Sequence, residues 1–198
     1  MAVLSIVVLI SGTGSNLRAL LEACDSPLYP AKILAVGADR PAEGLEHAEL
    51  FEKTTFVVQP ERFASKDAWA DVLASNIDIH KPDLIVLAGF MRVLPKSFVD
   101  RYYPKMINLH PSLLPLFPGA HAVRDALAAG ATETGSTIHI VDAGVDSGPV
   151  IAQEGISITS GITEELLHEQ IKEIEREQLV RTIEAIATGE IKLEEAAG

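Results

Sequence analysis

One cysteine, few basic residues and no long apolar run set the first limits on this 198-residue chain. With Cys24 alone, no disulfide can form within it, and its place in an apolar helical pattern suits a small core residue rather than a nucleophile. Lys and Arg total 16 against 28 acidic residues, a formal net charge of −12. Nucleic-acid backbones are held by clustered cations, and here the cations are scattered, so no nucleic-acid partner is expected. The longest apolar stretches, around Val3 to Ile10 and Leu84 to Met91, fall far short of the ~20 residues a membrane helix needs. No signal segment opens the chain, which predicts a cytoplasmic protein without a membrane partner. Internal repeats, low-complexity tracts and linkers are absent, and His47, His80, His121 and His168 show no metal-ligand spacing. At 47% hydrophobic content, the expectation is one domain over 1–198.

Three segments stand out. Val3 to Ile10 reads as a buried parallel strand, and Ser11-Gly12-Thr13-Gly14-Ser15-Asn16 leads from it into the helical pattern Leu17 to Cys24. Free backbone N–H groups and the helix dipole make such a turn an anion site. No Gly-Lys-Ser/Thr follows, so it is not a nucleoside-triphosphate loop, and the third glycine of a dinucleotide fingerprint is missing. The second segment is Asn108-Leu109-His110-Pro111-Ser112-Leu113-Leu114-Pro115. Two residues apart on a strand, the Asn108 carboxamide and the His110 imidazole share a side, where one can hold an oxyanion while the other handles a proton. The prolines end the strand and stiffen its exit. The third is Asp142-Ala143-Gly144-Val145-Asp146-Ser147-Gly148-Pro149, a shaped loop with two carboxylates, either of which could favour the charged form of His110.

Strand-like runs at Val3 to Ile10, Lys32 to Ala38, Thr54 to Val58, Leu84 to Ala88, Met106 to Leu109, Ser136 to Val141 and Val150 to Ile158 alternate for the most part with helical stretches. This predicts an α/β fold: a mostly parallel twisted sheet of about seven strands covered by helices on both faces, with a Rossmann-like N-terminal half. The Asp142 to Pro149 loop is too short for a parallel crossover, so the last two strands should be antiparallel. A long helix begins after Thr163 as N-cap, with Leu167, Ile171 and Ile174 as its core-facing stripe. In such sheets ligands bind beyond the carboxyl ends of the strands, where the glycine loop, Gly89 to Arg92 and Asn108 to Pro111 all fall.

These segments, with Leu87-Ala88-Gly89-Phe90-Met91-Arg92 and Val145-Asp146-Ser147-Gly148-Pro149-Val150-Ile151, resemble the folate-dependent formyltransferases in order and spacing, from about Val3 to about Leu193. The resemblance is strongest to the branch that formylates glycinamide ribonucleotide in purine synthesis. It implies a formyltransferase fold with a nucleotide-binding half (1–100) and a catalytic, folate-binding half (101–198). It implies a one-carbon transferase whose substrates are 10-formyltetrahydrofolate and the ribonucleotide, with no metal; a homodimer stays open. Asn108, His110 and Asp146 would be catalytic, the formal general base being left open. Gly14, Ser15, Asn16, Pro111 and Glu175 would meet the ribonucleotide. Lys66, Met91, Arg92, Val93, Leu94, Ala143 and Val145, with Asn108, would meet the folate. His139 and Ser112 would support the site, His139 having an equal reading as a structural mid-strand residue. Lys66 stands where an arginine is common, which removes bidentate carboxylate binding. Lys172 and Glu175 lie on one side of the C-terminal helix, with a solvated charged face as the other reading. Phe117 to His121 would shape the cleft mouth.

Three alternatives follow from the same residues. Methionyl-tRNA formyltransferases share Asn-X-His-Pro-Ser but carry a tRNA-binding domain, for which this acidic chain is too short. Formyltetrahydrofolate deformylases share it behind an N-terminal regulatory domain, whereas the first strand here begins at Val3. A non-catalytic nucleotide-binding module would use the glycine loop and leave Asn108, His110 and Asp146 without a purpose.

Overall fold

The computed structural model describes residues 3–198, so the first two residues of the expected domain lie outside it. Strand β1 (Leu4–Ile10) carries apolar residues at consecutive positions because both its faces are covered. Ile6, Val8 and Ile10 join one core and Val7 and Leu9 the other. The first core is closed by Leu17, Leu20 and Leu21 of α1 (Ser15–Cys24) and by Leu179 and Ile183 of α6 (Glu164–Thr188). The second is closed by Trp69, Leu73 and Ile77 of α3 (Lys66–Asp78) and by Phe98 and Val99 of α4 (Lys96–Tyr102).

The other strands are β2 (Ala31–Ala38), β3 (Thr54–Val57), β4 (Leu84–Leu87), β5 (Met106–His110), β6 (Glu133–Ile140) and β7 (Val150–Ser157). Among the described residues they form one sheet in the order β3-β2-β1-β4-β5-β6-β7. The first five run parallel, and β6 and β7 are antiparallel to their neighbours. The order turns at β1 and β4, which puts the glycine loop and the segment after β4 at a topological switch point. Helices α2 (Gly44–Leu50), α5 (Ala122–Ala128) and α7 (Leu193–Ala196) complete the fold. No helix among the described residues is long and apolar enough to cross a membrane.

The last two strands are antiparallel as expected, and the change of direction already begins one strand earlier, between β5 and β6. The connection from His110 to Glu133 contains a helix and so has the length of a parallel crossover, which hid the reversal. The stripe of α6 is also not purely apolar: Leu167 and Ile171 are buried, Ile174 only partly, and the buried face continues through Glu175, Gln178 and Thr182. Those polar side chains lie on the same buried side because α6 packs against α1 and β6, whose Asn16, Thr134 and Ser136 are themselves buried. Cys24 is half-buried against the first core, and burial pushes its thiol up to about 11, far from a thiolate at neutral pH.

Candidate active site

Asn108 and His110 end β5 and, two residues apart, share a face of the sheet. Asn108 pairs directly with His139 of β6, so their side chains meet: Asn108 Nδ2 lies 3.2 Å from His139 Nε2. His139 Nδ1 is 3.1 Å from the Ile140 carbonyl. A carbonyl can only accept, so Nδ1 carries a proton, and Nε2 faces the Asn108 amide. The second N–H of that amide points to Asp146 Oδ1 in a long contact of 3.5 Å.

The loop after β6 folds back over this pair. Asp146 Oδ2 stands 3.3 Å from His110 Nδ1, and Oδ1 stands 3.6 Å from His139 Nε2 and 3.5 Å from Asn108 Nδ2. The Gly119 N–H donates to Oδ2 at 2.8 Å. The two loop acids thus have separate tasks. Asp142 braces the turn itself, accepting from the Gly144 N–H at 3.0 Å and the Ser147 hydroxyl at 2.9 Å, while Asp146 faces the histidines. Gly148 lets the loop return: a Cβ there would lie 1.8 Å from the Ile140 carbonyl oxygen. Burial pushes the Asp146 carboxyl up, but His139, the Gly119 N–H and His110 together outweigh it and hold the group below the ordinary carboxylate value.

On its far side, His110 Nε2 donates to the Phe117 carbonyl at 2.8 Å. The ring thus lies between two acceptors, the Phe117 carbonyl at Nε2 and the Asp146 carboxylate beside Nδ1. Ser112, fully buried, anchors the turn that presents Phe117: its hydroxyl donates to the Leu116 carbonyl at 2.6 Å, and its own carbonyl accepts from Thr137 Oγ1 at 2.6 Å. Gln153 Nε2 secures the same turn through the Leu114 carbonyl at 2.7 Å. Neither Thr137 nor Gln153 is marked by any sequence motif.

A cleft of about 330 Å³ opens over these groups. Its walls include Asn108, His110, Pro111, His139, Asp142, Val145 and Asp146 on one side and Phe90 to Leu94 on the other. This volume falls within the range of small-molecule sites, ~300–1,000 Å³. Met91 and Val93 line the cleft and are 69% and 63% exposed, an apolar surface open to solvent. Ala143 is exposed in the same loop as Val145. Lys66 is exposed at the first residue of α3 and is not part of this wall. Arg92 lines the cleft, but its guanidinium is engaged by Asp39 at 2.5 Å and Glu61 at 2.9 Å. His121, expected at the cleft mouth, borders the cleft, as do Glu164 and His168, of which the sequence gave no sign.

The glycine loop sits beside the cleft. Gly14 adopts φ +74° immediately before α1, and a Cβ there would meet Gly44 Cα at 2.8 Å. Asn16 Nδ2 donates to Glu175 Oε2 at 2.9 Å, so two residues read separately from the sequence meet behind the loop. Glu175 is 5% exposed, which excludes the solvated-face reading. Burial pushes its carboxyl up, offset in part by Asn16 and by the charges of Lys172 and Arg176. Lys172 itself pairs with Glu169 at 2.8 Å. A second hollow, of about 400 Å³, continues from Thr13 and Ser15 toward Arg18, His47 and Arg176. No group of three metal-binding side chains occurs among the described residues.

The mixed sheet thus carries a glycine loop at its switch point and, in one cleft beside it, an amide, an imidazole and a carboxylate. The formyl transferase family matches residues 4–183, and the chain belongs to that family. Phosphoribosylglycinamide formyltransferase of Mycobacterium tuberculosis is 48% identical over 183 residues, 92% of this chain and 85% of that protein. The Escherichia coli protein of the same name is 38% identical over 195 residues, 98% of this chain and 92% of that protein. The crystal structure of phosphoribosylglycinamide formyltransferase from Brucella melitensis superposes with a TM-score of 0.88 at 40% identity, covering 95% of this chain and 97% of that one.

Proposed function

We propose that this protein transfers the formyl group of 10-formyltetrahydrofolate to the amine of 5'-phosphoribosylglycinamide, giving N-formylglycinamide ribonucleotide and tetrahydrofolate in purine synthesis. The observation that carries the reading is the meeting of Asn108, His110 and Asp146 in a cleft beside the glycine loop. Full-length similarity to proteins of that name supports it.

The roles follow from the geometry. The loop Gly14 to Asn16 holds the ribonucleotide phosphate on backbone N–H groups, with Glu175 behind it and Pro111 bordering the approach. The lip Met91 to Leu94 and the loop Ala143 to Val145 hold the flat folate ring, with Lys66 outside this wall as a point charge for its acidic tail. When the amine attacks the formyl carbon, negative charge grows on the formyl oxygen. An amide N–H of Asn108 stabilises it, and His110, paired with Asp146, stands beside it. As the tetrahedral carbon collapses, the bond to the folate nitrogen breaks, and the proton lost by the amine must reach that nitrogen. The His110–Asp146 pair is placed to carry it. The nucleotide loop lies in the first half of the chain, apart from Glu175, and the catalytic groups in the second, so both halves serve a single domain.

Purified protein is mixed with 10-formyltetrahydrofolate with and without glycinamide ribonucleotide, and tetrahydrofolate is followed. Transfer that requires the ribonucleotide is expected. Equal folate release without it would identify a hydrolase, and tight ribonucleotide binding without turnover would identify a binding module.

A further inference from the structure

Asp39 follows β2 at the same edge of the sheet and is fully buried. A carboxylate is retained at such depth only when paired and hydrogen-bonded. Its partners are Arg92, whose Nε lies 2.5 Å from Oδ2, and Arg40, whose Nη2 lies 2.8 Å from the same oxygen. Burial pushes the Asp39 carboxyl up, and Arg40, Arg92 and the Ser11 hydroxyl more than reverse this, so the group stays ionised. No step of the proposed reaction uses it.

Arg92 belongs to the cleft wall after β4, residues 88–95, which has no regular secondary structure. The wall is tied to the chain around the glycine loop by a few bonds. The Ala88 N–H donates to the Leu9 carbonyl at 2.9 Å, the Ser11 N–H to the Gly89 carbonyl at 3.1 Å, and the Met91 N–H to Ser11 Oγ at 2.8 Å. Beyond Met91 the anchoring passes to side chains. Met91 and Val93 are exposed, Leu94 packs on the second core, and between them the lip is held by Arg92 through buried Asp39 and exposed Glu61. Ser11 sits at the junction, opening the glycine loop while bonding the wall.

We propose that Asp39 is a positioning residue for the formyl donor: through Arg92 it locks the Met91 to Leu94 lip, which Ser11 ties to the start of the glycine loop, so that both substrates bind one hydrogen-bonded frame. This rests on the function proposed above for the donor's identity. Arg92 then acts through its hold on the lip rather than as a direct ligand of a folate carboxylate, because Asp39 and Glu61 already occupy its guanidinium.

The test compares wild type with Asp39→Asn, Arg92→Gln and the double variant. Asp39→Asn keeps the side-chain shape and removes the charge. Loss of the pair should raise KM for 10-formyltetrahydrofolate about tenfold or more, while kcat at saturation falls less than about threefold. The double variant should be no worse than either single variant, the mark of residues acting as one unit. Trp69, the only tryptophan, stacks on Phe90 of the wall with ring centroids 6.3 Å apart, so its emission reads the wall without turnover. All three variants should share an altered emission and need more 10-formyltetrahydrofolate to quench it. Unchanged KM and emission would overturn the proposal, as would losses that multiply in the double variant or fall on kcat alone. If Asp39→Asn does not fold, Arg92→Gln decides, and an unchanged KM there overturns it. Should wild type lack transfer activity, the Trp69 titration with 10-formyltetrahydrofolate still separates the two ideas: Asp39-dependent quenching upholds the frame while the reaction assignment fails.

Discussion

Asn108 and His139 face each other across β5 and β6, amide nitrogen to ring nitrogen at 3.2 Å, with the His139 proton committed to the Ile140 carbonyl. This pairing fixes which way the Asn108 amide points and therefore where its remaining N–H is aimed. His139→Phe should lower kcat about 10- to 100-fold through loss of that orientation, with KM for either substrate changed only a few-fold. Steady-state kinetics under saturating substrates checks it, and a normal kcat would make His139 a packing residue.

Asp146 touches three site side chains and a backbone N–H. Asp146→Asn keeps the shape but removes the carboxylate charge beside His110, and turnover should fall by ~10²–10⁴-fold. Ribonucleotide binding, measured by calorimetry, should stay within a few-fold. A variant of near-normal rate would remove the proton-handling role.

The same carboxylate should mark acid stability. Its folded pKa lies below the ordinary 3.8, so the folded state holds its proton less tightly than the unfolded chain. The resulting stabilisation is present above 3.8 and is lost as pH falls through the lowered value. Urea unfolding of wild type and Asp146→Asn should therefore converge in acid and diverge at neutral pH, with wild type the more stable. A difference that is constant with pH would contradict the shift.

Glu175 should behave in the opposite sense. Its folded pKa is raised by burial, so its protonated form is favoured by folding below the ordinary 4.5, and stability declines as pH rises through the folded value. Glu175→Gln, which keeps a hydrogen-bonding partner for Asn16, should be more stable than wild type at neutral pH and not below pH 4.5. It should also bind the ribonucleotide less tightly. Thermal unfolding across pH with a ribonucleotide titration tests both halves.

At Gly14 a side chain meets both an unfavourable φ and the Gly44 backbone. Gly14→Ala should cost about 2–4 kcal/mol of stability. Where the protein still folds, ribonucleotide KM should rise far more than folate KM, because the distortion falls on the loop. Equal effects on both would place the phosphate elsewhere.

Much of this protein can be read along the chain. All seven strands begin and end within three residues of their expected limits, because strands are short runs of apolar and β-branched residues flanked by breakers. Thr163 caps α6 through its side chain, as its position before two glutamates indicates. Asn108 and His110 were recognisable from their spacing and from the prolines that follow. What escaped was whatever lacks a period: Asp39 was findable only as an acid after a buried strand at the ligand edge, and Thr137 and Gln153 not at all.

Local order, the class of fold and the edge where ligands gather were thus set by the chain's own pattern, since hydrophobic periodicity and turn chemistry act between near neighbours. Three matters belonged to the folded molecule: that Asp146 rather than Asp142 faces the imidazole, that Glu175 is buried against Asn16, and that Arg92 is held by Asp39. Each is a contact between residues far apart in sequence. Its energy depends on distance, burial and the competing partners that only three-dimensional packing assigns.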